Sequence, residues 1–280
     1  MRNHRIRLIA SDLDGTLLRD DKTVSARTST AIAAAREAGI FVLAATGRQV
    51  TQVPAEVEAA GISHIVGSNG AIAIELPSRQ VLFEELLEPP AMASIVDFLS
   101  AELPEARVSA VRDHGARHAA APGYVDLLTQ MERDRGWWHI DTEPLKDVIG
   151  EPTLKLTVRH PSLSAERLWT LLADSGLSGF HATTSGAPFL EVGAAGVTKA
   201  TGVAQLCELL EVEPSDVLAA GDARNDLELI SWAGVGVAVG NADPITVAAA
   251  DWVTASNEQD GVALAIETAL AQENRHERVR

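Results

Sequence analysis

Two carboxylates one residue apart, Asp12 and Asp14, end a short apolar run, Leu8-Ile9-Ala10, and are followed by Gly15 and Thr16. A run of that length reads as a buried strand, and Gly15 lets the chain turn sharply where a Cβ would resist. Parallel sheets bind their ligands outside the carboxyl ends of the strands. Two acids at such a place repel unless something positive lies between them, and a hard cation with oxygen ligands fits best. A second acidic tip, Gly221-Asp222-Ala223-Arg224-Asn225-Asp226, follows another apolar run, Val217-Leu218-Ala219-Ala220. Asp12, Asp222 and a backbone carbonyl, completed by waters and a phosphate oxygen, would suit Mg²⁺. Thr46-Gly47-Arg48 could bind phosphate through a hydroxyl and the N–H groups of a helix start. Lys199 opens a helix, where the dipole disfavours a cation. Each stretch also has a plainer role: a turn at Asp14-Gly15, helix caps at Thr46 and Asp222, and a solvated lysine.

Positioning these residues requires strands that end together. Ser25 to Ala38 reads as a helix capped by Ser25 and stopped by Gly39, and Ile40 to Ala45 as a second buried strand. A helix to about Ala60 leads to a third strand, Ile62 to Val66, which ends at Ser68-Asn69-Gly70. Strands alternating with helices predict a parallel sheet with right-handed crossovers. From about Val81 the style changes. Helices are expected from Pro89 to Leu103, Pro122 to Arg135 and Ser164 to Ser175, with alternating strands among them, including Leu154 to Arg159, Phe180 to Thr184 and Phe189 to Val192. Alternation implies a sheet with one solvated face. The α/β style then returns, with a helix from Lys199 to Leu210, strands at Val217 to Ala220 and Val235 to Val239, and a closing helix from Gly261. The fold class is therefore α/β, a Rossmann-like parallel-sheet core over residues 1–81 and 187–280 interrupted by an α+β domain over 82–186.

Composition narrows the function. The 280 residues are 46% hydrophobic, which supports a sizeable core. The formal net charge is −16, from 23 basic and 39 acidic residues, and argues against nucleic acid or an anionic membrane as partner. A phosphorylated substrate must then be met by local cations. The single cysteine, Cys207, rules out an intrachain disulfide and sits in an apolar helical run, where packing is its natural role. No signal peptide or membrane-spanning stretch is read, so a soluble cytoplasmic protein is expected.

Taken in order, the tips read Asp12-x-Asp14-x-Thr16, Thr46, Lys199 and Gly221-Asp222-x-x-Asn225-Asp226. This order resembles the haloacid dehalogenase superfamily of phosphohydrolases, and most of all its Cof-type subfamily (class IIB), whose cap is inserted between the second and third motifs. Ala45-Thr46-Gly47-Arg48, Asn69-Gly70-Ala71, Gly236 to Ala242 and Asn257 to Val262 are also similar to that subfamily, whereas Ala200 stands where it usually has Gly. The resemblance implies that Asp12 attacks phosphorus in line to form an aspartyl-phosphate. It implies that Asp14 protonates the leaving alcohol and then takes a proton from water. Mg²⁺ would be held by Asp12, the main chain of Asp14, and Asp222, with Asp226 one layer behind. Thr46, Gly47 and Lys199 would hold phosphoryl oxygens, Asn225 would add a donor, and Arg48 and Asn69 would face the leaving group.

The 82–186 insert would be a lid that closes over the substrate. His114, His118, Trp137, Trp138, His139, Thr183 and Thr184 are candidates for its contacts, although ordinary packing or surface would also account for each. The function expected is Mg²⁺-dependent hydrolysis of small phosphorylated metabolites, either sugar phosphates or cofactor phosphates, by a monomer or weak homodimer. A phosphotransferase or phosphomutase of the same superfamily is the nearest alternative, and a non-catalytic phosphate-sensing module the more distant one.

Overall fold

The computed structural model describes residues 5–135 and 140–277, so Trp137, Trp138 and His139 lie outside the described residues. In chain order the elements are β1 (Leu8–Ser11), α1 (Ala26–Glu37), β2 (Phe41–Ala45), α2 (Ala55–Ala59), β3 (His64–Gly67), β4 (Ile72–Glu75), β5 (Val81–Glu84) and α3 (Pro89–Glu102). There follow β6 (Arg107–Arg112), β7 (Arg117–Ala120), α4 (Gln130–Arg135), β8 (Ile140–Thr142), α5 (Leu145–Val148), β9 (Lys155–Arg159), α6 (Ala165–Ala173), β10 (Phe180–Thr183) and β11 (Leu190–Ala194). The chain closes with α7 (Lys199–Leu209), β12 (Val217–Gly221), α8 (Leu227–Trp232), β13 (Val235–Ala238), α9 (Pro244–Ala249), β14 (Trp252–Val253) and α10 (Gly261–Glu277). They form two compact units: one holds the chain through Gly47, Val53–Phe83 and Thr198 onward, the other Arg48–Gln52 and Glu84–Val197.

The first unit is built on an eight-stranded sheet in the order β14-β13-β12-β1-β2-β3-β4-β5. Pairing is parallel from β14 across to β3 and antiparallel between β3 and β4. Every residue of β1 is buried between β12 and β2, which is why Leu8, Ile9 and Ala10 follow one another as apolar residues without alternation. Leu8 and Ala10 of β1 share one cluster with Leu43, Val66, Val217 and, from α7, Val203, Leu206 and Cys207. Burial pushes the Cys207 thiol up to about 12, so this cysteine is packing and not a nucleophile.

The second unit has a six-stranded sheet, β10-β11-β9-β6-β7-β8, antiparallel except for the β7–β8 pair. β11 belongs here, antiparallel to β9 and β10; the boundary read at residue 187 would have cut it from the strands it completes. One face buries Val108, Ala110, Leu156, Val158 and Val192 against Met92, Ile95 and Leu99 of α3 and Leu168 of α6. The other face is not solvated, as alternation suggested. Lys155 and Arg159 are buried on it and paired, Lys155 Nζ to Glu191 Oε1 at 2.6 Å and Arg159 to Glu132. The Arg159 guanidinium also lies 4.8 Å from the Phe189 ring and 5.3 Å from the Tyr124 ring. Charges out of water must be paired in this way. The expected Pro122–Arg135 helix is only α4, because Leu128 is extended (ψ 137°) and Thr129 restarts the helix through hydrogen bonds to Glu132 Oε2.

His118 lies on this buried face, and burial, then Lys155, lowers its imidazole to about 4. A base depressed in the fold is protonated more readily unfolded, so its stabilising contribution is complete above about pH 6.5 and is lost as pH falls toward 4. Urea unfolding followed at pH 7 and at pH 5 is expected to show this loss, and the difference is expected to shrink in His118→Gln.

Candidate active site

Four adjacent parallel strands, β12-β1-β2-β3, deliver the predicted tips to one edge of the first unit's sheet. Backbone bonds run from tip to tip. The Asp12 N–H donates to Ala220 O (2.9 Å), Thr46 N–H to Val66 O (2.8 Å) and Asn69 N–H to Thr46 O (3.0 Å). Asn69 is buried in the left-handed region (φ 58°), and its Oδ1 accepts from Asn225 Nδ2 at 2.9 Å. That single bond joins a tip following β3 to one following β12.

Lys199 arrives from the start of α7, whose first turn is fixed by a reciprocal cap between Thr198 and Thr201. The lysine is fully buried, and its Nζ donates to Asp12 Oδ1 and Asp226 Oδ1, both at 2.6 Å. Burial alone would lower the ammonium, but the two carboxylates overcome it and the net shift is upward, so the charge stays on the nitrogen. The other Asp226 oxygen accepts the N–H groups of Asp222 and Ala223 at 3.0 and 3.1 Å. Asp226 thus fixes both Lys199 and the loop carrying Asp222.

Asp12, Asp222 and Asp226 each place an oxygen within 4.8 Å of the others. Burial, opposed by Lys199 and reinforced by Asp226 and Asp222, holds Asp12 well above the usual carboxylate range. Burial, followed by Asp226, pushes Asp222 up to about 6. Three carboxylates around one ammonium leave an excess of negative charge, and an all-oxygen donor set of this kind suits a hard divalent cation.

The Asp14 side chain is partly exposed and meets Lys22 Nζ at 2.9 Å. Thr16 Oγ1 donates to Asp222 Oδ1 at 2.8 Å. Gly15 lies between them at φ +76°, and a Cβ there would come within 2.5 Å of Asp222 Oδ2. Thr46 is buried and Gly47 partly so at the end of β2. Arg48 belongs to the second unit, where Nη1 donates to the carbonyl of Gln52 at 3.1 Å. Lys22 and the Thr16–Asp222 bond were not foreseen. Lys22 sits in the charged stretch Arg19-Asp20-Asp21-Lys22, where nothing in the pattern separates it from ordinary surface.

A family model for haloacid dehalogenase-like hydrolases matches residues 9–266. The chain is 30% identical over 272 residues to a putative phosphatase, YxeH, of Bacillus subtilis (strain 168), covering 93% of this chain and 97% of that one. It is 27% identical over 261 residues to the 5-amino-6-(5-phospho-D-ribitylamino)uracil phosphatase YcsE of the same organism, covering 93% and 94%. Among solved structures, BT1666 from Bacteroides thetaiotaomicron, a phosphatase of the haloalkanoate enzyme superfamily, superposes with a TM-score of 0.80 over 96% of each chain. At 24% identity that likeness speaks for the fold alone.

Gly70 sets how closely the tip after β3 approaches α7. Its φ is +105°, and a Cβ there would lie 2.0 Å from the Thr198 carbonyl oxygen, which is backbone and cannot swing aside. Gly70→Ala is expected to destabilise the protein by about 3 kcal/mol in urea unfolding. A change below about 1 kcal/mol would show that the contact relaxes without cost.

Proposed function

The chain belongs to the haloacid dehalogenase-like hydrolase family, and on that premise we propose that it hydrolyses small phosphate monoesters, sugar phosphates or cofactor phosphates, through an aspartyl-phosphate on Asp12 and with Mg²⁺ as cofactor. The observation that carries this reading is the buried Lys199 ammonium held between Asp12 and Asp226, with the Asp222 carboxylate beside them. The assignment to small phosphorylated metabolites is supported by the relative that acts on a phosphoribityl compound.

Asp12 is the nucleophile. Its carboxylate oxygen bonds to phosphorus while the bond from phosphorus to the leaving oxygen breaks, which divides one difficult displacement into two. Asp14 gives its proton to that leaving oxygen and then accepts one from the water that cleaves the acyl phosphate. Asp14 is held by Lys22 Nζ at 2.9 Å, and this contact has to open for the carboxyl to reach the leaving oxygen. Lys199 and Thr46, both buried, together with the N–H groups at Thr46-Gly47, meet the negative phosphoryl oxygens. Asp12, Asp222 and the main chain of Asp14 would hold Mg²⁺. Both Asp226 oxygens are already engaged, which suits a role behind the ligands. When bound, the cation supplies positive charge that offsets the repulsion between an anionic nucleophile and an anionic phosphate. Asn225 and Asn69, already bonded to each other, supply further polar groups at the same edge.

The reading is tested by phosphate release from p-nitrophenyl phosphate and a panel of sugar and cofactor phosphates, with Mg²⁺ and with EDTA. Turnover that needs the metal and falls to background in Asp12→Asn and in Lys199→Met is expected. Full turnover in Asp12→Asn would remove the nucleophile from this scheme, and transfer to an added sugar in place of water would make the chain a phosphotransferase.

The carboxyl shifts give a second measurement. A carboxyl raised to about 6 in the fold keeps its proton longer than the same group unfolded, so cation-free stability falls as pH climbs from about 4 to about 6. A cation binds the ionised carboxylates and reverses that loss. The increase in Tm on adding Mg²⁺ is therefore expected to be larger at pH 7.5 than at pH 5, and an increase independent of pH would place the metal away from these acids.

A further inference from the structure

The stretches at Gly236 to Ala242 and at Asn257 to Val262 have no role in the chemistry above, yet both are bonded to the loop that carries Asp14. Asn241 Nδ2 donates to the Gly15 carbonyl at 2.7 Å, and Asn241 Oδ1 accepts the Asn257 N–H at 2.9 Å. Asn257, itself buried, donates through Nδ2 to the Leu18 carbonyl at 3.2 Å and to Asp20 Oδ1 at 3.1 Å. These two side chains reach back more than 220 positions in sequence to hold carbonyls on both sides of Thr16 and Leu17. The first stretch is also tied to the loop of Asp222: the Val239 N–H donates to the Gly221 carbonyl at 3.2 Å, and the N–H of Asp243, one residue past the stretch, donates to the Asp222 carbonyl at 2.9 Å. Farther along the Asp14 loop, Arg19 pairs with Asp260 at 2.9 Å and the Asp20 N–H donates to Glu258 Oε1 at 2.7 Å.

We infer that Asn241 and Asn257 are positioning residues for the reaction: a two-asparagine relay that fixes the loop of Asp14 against the loop of Asp222, so that Asp14 stands at the leaving oxygen. The inference rests on the phosphatase reading. It draws on amide chemistry. Asn241 must offer a donor to a carbonyl at one end and an acceptor to an N–H at the other, and only an amide side chain of this length does both. A carboxylate keeps the second bond and loses the first. Asn257 likewise gives both Nδ2 hydrogens to acceptors, one of them a carboxylate, so an aspartate there would face Asp20 with like charge. Asn241 is exposed, so its replacement opens no cavity in the core.

The test separates positioning from mere stability. It compares kcat/KM for phenyl phosphate, whose leaving oxygen needs a proton, with that for p-nitrophenyl phosphate, whose leaving oxygen departs readily without one. Because kcat/KM covers only the steps up to loss of the alcohol, it reports Asp14 as acid and not its later role as base. In Asn241→Ala, Asn241→Asp and Asn257→Ala, each shown by urea unfolding to be folded, phenyl phosphate is expected to lose about tenfold more than p-nitrophenyl phosphate, the cost of a misplaced catalytic group. Amide hydrogen exchange over residues 13–18 is expected to quicken in the same variants. Equal losses on both substrates, no loss on either, or unchanged exchange would overturn the relay. Wild-type protein that turns over neither ester with Mg²⁺ would instead bring down the phosphatase reading beneath it, whatever the exchange shows.

Discussion

A lysine ammonium with no exposure to water is the constraint on which the rest of the first unit depends. Taking one such charge out of water costs several kcal/mol unless opposite charges meet it at close range. Here two do, and they come from different ends of the chain, Asp12 from the first strand and Asp226 from the turn after β12. The sheet order makes this possible, because β12 and β1 are neighbours although more than 200 residues separate them. Removing Lys199 would leave two buried carboxylates without their counter-charge, which costs more than the trio's own net contribution to stability. The arrangement is thus poor as a stabilising device and well suited to holding the Asp12 carboxylate in one orientation.

Local features of the fold follow from that requirement. Lys199 can reach the acids only if α7 starts close to the strand tips, so its first turn carries its own reciprocal cap at Thr198 and Thr201. It also lies against Gly70, where a side chain has no room. Gly15 serves the same end on the other side of the site, bringing the Asp14 loop against the Asp222 carboxylate. The second unit solves a similar problem with different parts. Its sheet buries Lys155 with Glu191 and Arg159 with Glu132, and Arg159 also meets two aromatic rings.

Much of the first unit was legible because its signals are local. Apolar runs followed by polar tips identify strands buried on both faces; β1, β2 and β12 carry that pattern, and β3 carries it after His64. Asp12 and Asp222 stand out because each follows such a run, whereas Lys199 and Asp226 are singled out by the motif order that resembles the haloacid dehalogenase superfamily. What the sequence concealed depends on distant partners. Lys22 gains meaning only from where the turn at Arg19–Thr23 places it, and Asn241 only from a carbonyl 226 positions away. In the second unit, alternation gave the strands but not the cover over their polar face, and periodicity overextended the helix before Arg135 because it cannot detect the break at Leu128.

The short segment Arg48–Gln52 groups with the second unit, although the residues on either side of it belong to the first. There Thr51 Oγ1 donates to the Gly115 carbonyl at 2.8 Å, and Gln49 Nε2 lies 3.2 Å from His118 Nε2. The chain therefore passes between the units four times, not the two times that a simple insertion would need. For protein engineering, Glu84–Val197 is not an exchangeable module. A transplanted replacement would have to reproduce the surface that receives these five residues, or else bring its own version of them along, so recombination between relatives should favour breakpoints that keep both pieces from the same parent.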